Sequence, residues 1–287
     1  MDFSADEIMV VCISRQIHDG EMVVQGLATP LVAAAYLLAR YTHAPNLYFA
    51  SAIGQSLCRQ PAPLGLRKVE SLWLDRSMTN VGFVRVAADV LPSLKPKEFF
   101  RPGQVDPAGN FNNIAIGKDY LTSGRQRPRL RLPGSGGIPD VTTYINDTYM
   151  YVPRHSRVTF VEKLDVLSGL GHHPARTRGA GPRYLVSDLG QFDFEGSSDL
   201  VDDLLAMGSQ KRIRLISCHP GISVEKIQSH TGFELQVSPA LQETPPPTDN
   251  ELRLLREVID PLGIRKLESL SGAARRQLLH EILEAET

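Results

Sequence analysis

Apolar residues near the start of the chain follow a helical period and then fall into short runs separated by turns. Ser4 and Glu7 have the spacing of a capping box, and the apolar residues behind them predict a first helix. An apolar strand at 21–25, a helix at 30–41 that starts with a proline, and a second strand at 47–53 follow. A strand, a helix and a strand in such close succession are typical of parallel pairing.

The same alternation continues along most of the chain. We predict two more short helices, one that Asp140 could cap and one at 223–230, and seven further strands, at 82–87, 113–116, 130–132, 148–152, 158–161, 184–187 and 213–217. Alternating strands and helices favour an α/β fold over a helical bundle or a β-sandwich. The expected architecture is an open, parallel-rich sheet with helices on both faces, built by residues 1–243 as one domain.

A proline-rich segment separates this domain from the end of the chain. Residues 243–248 contain three consecutive prolines, which hold a chain extended. Thr248 and Glu251 repeat the capping-box spacing, and a last amphipathic helix begins near Ser271. We therefore predict that residues 244–287 form a helical extension, which packs either on the chain's own core or on a partner subunit.

Composition and charge exclude several classes of protein. The chain has 287 residues with 31 basic and 32 acidic side chains, a net charge of −1 that provides no basic face for nucleic acid. Three cysteines without Cys-x-x-Cys spacing indicate neither a disulfide framework nor a structural zinc site. No signal peptide is evident, and the apolar stretch at 31–39 is too short to cross a bilayer. We expect a cytoplasmic protein.

A glycine-rich loop is the strongest local signal for chemistry. Gly134, Ser135, Gly136 and Gly137 follow a predicted strand and precede a short predicted helix. Such a loop lets backbone amides approach an anion or an oxyanion without interference from Cβ atoms. A turn with only a structural role is the alternative. The loop matches neither the dinucleotide-binding nor the Walker A pattern, so the sequence predicts no nucleotide site.

Two other segments could bind a ligand. Arg125, Arg127, Arg129 and Arg131 alternate just before the glycine loop, so on a strand they would share one face and could hold phosphates or carboxylates. A solvated strand face is the alternative. The turn after Gln25 lies where a strand leads into a helix, which is the edge at which parallel sheets bind ligands. It could equally be an ordinary turn.

Three adjacent pairs of reactive residues are interpreted as structural. Cys218 and His219 are neighbours on a predicted strand and therefore point to opposite faces. His172 and His173 lack further ligands at metal spacing. The acidic pair at 202–203 is expected to be exposed. We therefore predict no metal site.

The order of the motifs resembles that of class I CoA-transferase β subunits over nearly the whole chain. The matching segments are Thr-His-Ala-Pro-Asn-Leu at 42–47, Gln-Val-Asp at 104–106, Gly-Asn-Phe-Asn at 109–112, Leu-Pro-Gly-Ser-Gly-Gly at 132–137, Phe-Val-Glu-Lys at 160–163, Val-Ser-Asp-Leu-Gly at 186–190, Phe-Asp-Phe at 192–194, His-Pro-Gly at 219–221, Thr-Gly-Phe-Glu at 231–234 and Thr-Pro-Pro-Pro-Thr at 244–248. The resemblance implies a separate α subunit, a heterotetramer of two α and two β subunits, and an active site at the α–β interface. It implies no cofactor, because CoA enters as the substrate thioester.

One departure from this family concerns its nucleophile. The resemblance places a glutamate between Leu47 and Gly54, where its carboxylate attacks the acyl-CoA thioester. Here Phe49 or Ala50 occupies that position, and the second glycine of a Gly-x-Gly turn is replaced by Ala28. The chain is similar to the branch of the family that has lost the glutamate and opens the last steroid ring in cholesterol degradation by hydrolysing a carbon–carbon bond.

This resemblance implies a ring-opening hydrolase that acts on a cyclic oxo acyl-CoA. Such a reaction needs a general base, expected on the α subunit, and oxyanion donors. The oxyanion or turn candidates are Gly26, Ser135 and Gly136, and the candidates for contact with substrate or CoA are Gln25, Phe49, Ser51, Asn110, Arg127, Gly134 and Gly137. A glutaconate-type CoA-transferase that uses another carboxylate, such as Glu70, and a non-catalytic subunit that binds acyl-CoA are the alternatives.

Overall fold

The computed structural model describes residues 2–26, 29–117, 127–145, 147–195 and 211–287. The chain divides into two compact units, one of residues Met1–Phe99 with Pro245–Thr287 and the other of residues Phe100–Thr244. We call them unit 1 and unit 2. This division differs from the predicted boundary at residue 243, because the C-terminal segment packs with the first 99 residues. Among the described helices, none combines the length and apolar character needed to cross a membrane.

The first part of unit 1 alternates helices and strands. Its helices are α1 (Ala5–Ser14), α2 (Pro30–Thr42), α3 (Val69–Leu74), α4 (Phe83–Arg85) and α5 (Leu91–Leu94), and a π-helical segment, Val86–Val90, joins the last two. Its strands are β1 (Met22–Gln25), β2 (Tyr48–Ser51), β3 (Ser56–Cys58), β4 (Ser77–Asn80) and β5 (Lys97–Phe100). They form a sheet in the order β5-β1-β2-β3-β4, in which β5 and β2 run parallel to β1 and the other neighbours pair antiparallel.

Apolar helices form the core of unit 1. Both α1 and α2 are apolar around most of their circumference, so they are almost wholly buried and pack against each other. The Tyr36 hydroxyl of α2 donates to the carbonyl oxygen of Val24 at 3.0 Å, which ties this helix to β1. The predicted capping box is confirmed, since the Glu7 carboxylate accepts a hydrogen bond from the Ser4 amide at 3.0 Å.

Unit 2 also combines helices with strands. Its helices are α6 (Ile138–Tyr144) and α7 (Val224–His230), and its strands are β6 (Gln104–Val105), β7 (Phe111–Asn112), β8 (Ala115–Ile116), β9 (Leu130–Arg131), β10 (Asp147–Val152), β11 (Gly181–Ser187), β12 (Gly190–Glu195), β13 (Arg212–Cys218) and β14 (Gln236–Glu243). Five strands of unit 2 pair in the order β14-β13-β12-β11-β10. Strands β10 and β11 are parallel, as are β13 and β14, while β12 is antiparallel to both of its neighbours. Strands β6 and β7, and β8 and β9, form two small antiparallel pairs.

The C-terminal segment returns to unit 1. It contains α8 (Asp249–Arg253), a π-helical segment Leu254–Ile259, a 3-10 helix Ile264–Glu268 and α9 (Gly272–Ala285). The predicted second capping box is present, because the Thr248 amide donates to the Glu251 carboxylate at 2.7 Å. Arg265 is buried against the carboxylates of three residues, at 2.7 Å from Asp6, 3.0 Å from Glu7 and 2.8 Å from Asp260. The segment therefore packs on its own chain.

The predicted α/β class is confirmed, but two of the predicted strands are wrong. Residues 83–94 are helical instead of extended, and the Val84 side chain, which is 79% exposed, does not face a sheet core. Residues 158–161 form no strand, because Phe160 makes only an isolated bridge with Val105. Several strands, among them β5, β12 and β14, have no counterpart in the sequence-based prediction.

Candidate active site

The turn after β1 brings a glycine next to a carboxyl group. A Cβ atom placed on Gly26 would stand 3.7 Å from Oε1 of Glu98 and 3.8 Å from the Thr29 methyl carbon. The Thr29 hydroxyl donates to the Gly26 carbonyl oxygen at 3.3 Å. Ala28, which replaces the second glycine of the Gly-x-Gly turn, lies outside the described residues. Gly26 therefore places no side chain beside Oε1 of Glu98.

Phe49 and Ser51 lie on one face of β2. The Phe49 ring is 2% exposed and is covered by the Arg40 guanidinium, 5.9 Å from its centroid, and by the Trp73 ring. The Ser51 hydroxyl accepts a hydrogen bond from the Gly54 amide at 3.3 Å, and Ser51 stands beside Gln25 in the parallel register. The structure gives both residues a packing role, and their contact with substrate stays a prediction, as it does for Gln25.

Ala50 lies on the opposite face of β2, because side chains alternate along a strand. The register pairs Ala50 with Val24 on β1, and Val24 with Glu98 on β5. Residues in register on parallel strands project to the same face, so these three form one row across the sheet. With strands about 4.8 Å apart, the Cα atoms of Ala50 and Glu98 are separated by about 10 Å. Of the two candidates for the position of the missing nucleophile, Ala50 shares a face with a carboxyl group.

Glu98 is the residue of this site that the sequence does not indicate. Burial raises the pKa of its carboxyl from 4.5 to about 8. The neighbouring Lys97 is directed to the Glu21 carboxylate at 2.7 Å and does not compensate the Glu98 charge. Two charged residues at the start of β5 interrupt its apolar pattern, so the sequence predicts no strand at this position. An acidic residue directly before two phenylalanines is the signal that could have identified a buried carboxyl.

The predicted glycine loop in unit 2 has the backbone that its sequence indicates. The φ angles of Gly134, Gly136 and Gly137 are 108°, 44° and 88°, a region in which other residues are strained. The Gly134 amide donates to the Asn113 carbonyl oxygen at 2.8 Å, which anchors the loop beside β8. A Cβ atom on Gly134 or Gly136 would meet nothing within 4 Å, so this side of the loop is open. Within the described chain, the amides of Ser135, Gly136 and Gly137 donate to no other residue.

The arginines before this loop are exposed but do not form the predicted row. Only Leu130 and Arg131 belong to β9, so Arg127 and Arg129 precede the strand instead of sharing its face. Arg125 lies outside the described residues. Their common face is therefore not observed, and binding of CoA phosphates by Arg127 stays a prediction.

Asn110 is fully engaged inside unit 2. Its side-chain amide donates to Asp106 at 2.9 Å, and its side-chain oxygen accepts from the Gly171 amide at 2.7 Å. The residue is 5% exposed. This position gives Asn110 a structural role in the turn between β6 and β7, and contact with CoA stays a prediction.

The adjacent reactive pairs in the described residues have structural contacts. Cys218 is buried, and burial raises the pKa of its thiol. His219 contacts the Thr244 hydroxyl at 3.0 Å and the Ser187 carbonyl oxygen at 2.8 Å. His172 contacts the Pro182 carbonyl oxygen at 2.8 Å. The pair at 202–203 lies outside the described residues.

Comparison with known proteins shows the family of the chain. No family model matches it. The β subunit of glutaconate CoA-transferase from Acidaminococcus fermentans is 27% identical over 284 residues, which cover 91% of this chain and 94% of the relative. A cholesterol ring-cleaving hydrolase IpdB subunit from Mycobacterium bovis is 30% identical over 277 residues, which cover 93% of this chain and 99% of the relative. The chain belongs to the CoA-transferase β-subunit family.

Solved structures agree with this CoA-transferase β-subunit fold. The decarboxylase AibA/AibB matches with a TM-score of 0.74 and 31% identity, covering 92% of this chain and 98% of the other. IpdAB from Rhodococcus jostii RHA1 matches with a TM-score of 0.71 and covers 94% of this chain and 100% of the other. Its sequence identity of 24% supports a shared fold alone. These neighbours are complexes of two different subunits. Relatives of this CoA-transferase β-subunit chain therefore carry names of three reactions: CoA transfer, ring cleavage and decarboxylation.

Proposed function

We propose that this chain is the β subunit of a heteromeric CoA-ester hydrolase that opens a ring of a cyclic oxo acyl-CoA, with a steroid-derived ring as the substrate class. The 30% identity to a cholesterol ring-cleaving hydrolase subunit over nearly the whole chain supports this reaction. We further propose a cytoplasmic heterotetramer of two α and two β subunits that needs no bound cofactor. Light scattering of the purified complex would test the stoichiometry.

The observation that carries the proposal is the methyl group of Ala50 on β2. The CoA-transferase mechanism needs a carboxylate on this strand to attack the thioester, and an alanine side chain provides no nucleophile. Glu70, the alternative carboxylate, lies exposed in the first turn of α3 and outside the row that contains Ala50. The residues of β2 and α3 therefore favour a reaction without covalent attachment to this chain.

Hydrolysis of a carbon–carbon bond instead requires water and groups that stabilise developing negative charge. A base removes a proton from water, whose oxygen bonds to the ring carbonyl carbon and leaves an oxyanion. The amides of Ser135, Gly136 and Gly137 are suited to this charge, because they have no other acceptor in the described structure. In the second step the carbon–carbon bond breaks, and its electron pair moves to the carbon next to the thioester.

The decisive experiment uses the complex of this chain with its α subunit and a cyclic β-oxo acyl-CoA in ¹⁸O-labelled water. We expect one labelled oxygen in the new carboxylate and an intact CoA thioester. In a parallel reaction with an acyl-CoA and acetate, we expect no acetyl-CoA. Rapid formation of acetyl-CoA, or a glutamate trapped by hydroxylamine, would contradict the proposal, and acyl-CoA binding without turnover would indicate a non-catalytic subunit.

The role of the glycine loop is tested by Ser135→Ala in the same assay. Loss of one oxyanion donor typically lowers kcat by about 100- to 1,000-fold, but the amide of residue 135 remains in this variant. A decrease therefore assigns the hydroxyl to catalysis. Ser229→Ala, an exposed serine of the same unit whose hydroxyl contacts its own helix, is the matched control. Turnover equal to that of the control would remove the Ser135 side chain from the mechanism.

Decarboxylation of a CoA-linked acid is the second candidate, favoured by the 31% identity to the decarboxylase AibA/AibB. Both reactions break a carbon–carbon bond and leave an electron pair on carbon. They differ in their products, because decarboxylation releases CO2 and incorporates no oxygen from water. Measuring CO2 release from an acyl-CoA that carries a free carboxylate would distinguish the two candidates.

A further inference from the structure

In unit 1, Glu98 has a partly buried carboxyl group that the proposed reaction does not yet use. Among the described residues, no hydrogen bond or ion pair to its carboxyl group is found, and burial alone raises its pKa. Glu98 lies in the same row across the sheet as Ala50, and its Oε1 atom lies 3.7 Å from the position that a Cβ atom on Gly26 would take. Phe99, the next residue of β5, packs its ring against Tyr36 of α2, with 6.4 Å between centroids, so Glu98 lies on the other face.

We propose that Glu98 is a catalytic acid of this chain, which donates its proton to the carbon next to the CoA thioester after the carbon–carbon bond has broken. The inference rests on the proposed function and deepens it, since the sequence suggests no acid–base group in this subunit. The ligand that reaches Glu98 is the thioester end of an acyl-CoA.

The charge state of Glu98 suits a proton donor. Because burial raises the pKa of this carboxyl to about 8, it carries its proton at neutral pH. Tyr36 is the titratable group that its charge affects from α2, and the pKa of Tyr36 is raised by burial and then by the Glu98 carboxylate. Lys97 is paired with Glu21 and has no role in lowering the pKa of Glu98. A carboxyl that stays protonated near neutral pH is the form that a general acid requires.

The step balances without an oxidant or a reductant. Water gives its oxygen and one proton to the ring carbonyl group, which becomes a carboxylic acid, while the base holds the other proton. The electron pair of the broken bond forms an enolate at the carbon next to the thioester, and the O–H of Glu98 protonates that carbon. The proton held by the base then returns through solvent to the Glu98 carboxylate. The sum is the addition of one water molecule across the carbon–carbon bond.

The proposal requires the substrate to approach Glu98 beside Gly26, which places no side chain there. An alanine there would place a methyl group in van der Waals contact, 3.7 Å, with Oε1 of Glu98. Gly26→Ala does not clash, so we expect the variant to fold and to lose turnover through obstruction. This variant tests the approach to Glu98 separately from its proton.

The kinetic test compares the α–β complexes of wild type, Glu98→Gln, Glu98→Asp and the matched control Glu257→Gln, an exposed glutamate of the same unit. Glutamine keeps the shape of the side chain but cannot donate the proton, so kcat should fall by about 100-fold or more with KM nearly unchanged. Wild-type kcat should fall as pH rises through about 8, and Glu98→Gln should lack this limb. Partial recovery by Glu98→Asp would support proton donation over a structural role. An unchanged pH profile in Glu98→Gln would overturn the inference.

A second measurement keeps the inference separate from the proposed function. Because the donor must also remove the same proton in the reverse direction, the wild-type complex should exchange the α-hydrogens of butyryl-CoA with D2O. Glu98→Gln should lose this exchange, and Glu257→Gln should retain it. If ring opening fails but this exchange depends on Glu98, the proposed function is wrong and the acid–base role stands. If Glu98→Gln exchanges as fast as wild type, or if wild type shows no exchange, the inference is wrong.

Discussion

The carboxylate of Glu268 accepts a hydrogen bond from the backbone amide of Leu31, at 2.9 Å. Leu31 lies in the first turn of α2, the helix that follows the Gly26 turn, and both partners are buried. The residue at the N-cap of this helix, Thr29, provides no side-chain cap. The C-terminal segment therefore satisfies an amide at the start of α2, where a local cap is absent.

Removing this distant cap should destabilise the protein. We expect Glu268→Ala to lower the free energy of unfolding by about 1–3 kcal/mol, because a buried amide loses its acceptor. Glu268→Gln retains an acceptor oxygen and should lose less. Urea unfolding followed by circular dichroism measures both, with Glu257→Ala as the exposed control. Equal stability of Glu268→Ala and this control would show that the cap contributes nothing.

Asn110 should matter for stability more than for substrate affinity. Asn110→Ala removes the hydrogen bond to Asp106 and leaves the buried Gly171 amide without its acceptor. The expected cost is about 1–3 kcal/mol in the free energy of unfolding. Thermal unfolding of the complex, together with KM for the acyl-CoA at a temperature where the variant is folded, checks this. A large increase in KM with unchanged stability would instead support the predicted contact with CoA.

The sequence predicts the elements whose signals are local. The capping boxes at Ser4 and Thr248, and the strand–helix–strand succession that contains Gly26, are each written in a few neighbouring residues, and the structure confirms them. The helical segment after Phe83 has the sequence pattern of a strand, because a short apolar run does not reveal which of its faces will be buried. Such burial depends on distant parts of the chain.

The candidate site could be predicted only in part for the same reason. The glycine loop is recognisable, since the need for positive φ angles is a property of the residues themselves. The relation between Ala50 and Glu98 arises from the register of three strands that are separated along the chain. No spacing in the sequence encodes that register, so Glu98 becomes a candidate only in the folded structure.

Two buried histidines of unit 2 should make the fold sensitive to acid. The ring nitrogens of His155 contact the hydroxyls of Ser187 and Thr231, each at 3.0 Å. Burial, with a smaller effect from the His230 charge, lowers the pKa of His155 from 6.5 to about 3, and burial lowers that of His219 to about 4. Because the unfolded chain binds these protons near pH 6.5 and the folded chain does not, the contribution of the two neutral rings to the free energy of unfolding is fully present above pH 6.5 and is lost as the pH decreases below it.

Replacing one of these histidines should reduce the dependence of the free energy of unfolding on pH. Between its folded and unfolded pKa values, each histidine changes the free energy of unfolding by about 1.4 kcal/mol per pH unit. His155→Gln cannot titrate, so its free energy of unfolding should change less between pH 6 and pH 4 than that of wild type, even if it is lower at pH 7. His280→Gln, on the exposed side of α9, is the control. An identical slope in His155→Gln and wild type would contradict the buried neutral imidazole.

Glu98 should have the opposite effect on stability, at higher pH. Its pKa is about 8 in the folded chain against 4.5 when it is solvated, so between these values the folded chain holds a proton that the unfolded chain has lost. Rising pH therefore favours the unfolded state through this window, and Glu98→Gln removes the effect. The stability of Glu98→Gln relative to wild type should increase from pH 4.5 to pH 8, by an amount on the order of a few kcal/mol. The histidine contributions are common to both proteins and cancel in the difference, which urea unfolding at several pH values measures. A difference that does not change with pH, as expected for Glu257→Gln, would show that the Glu98 carboxyl is not held in its protonated form.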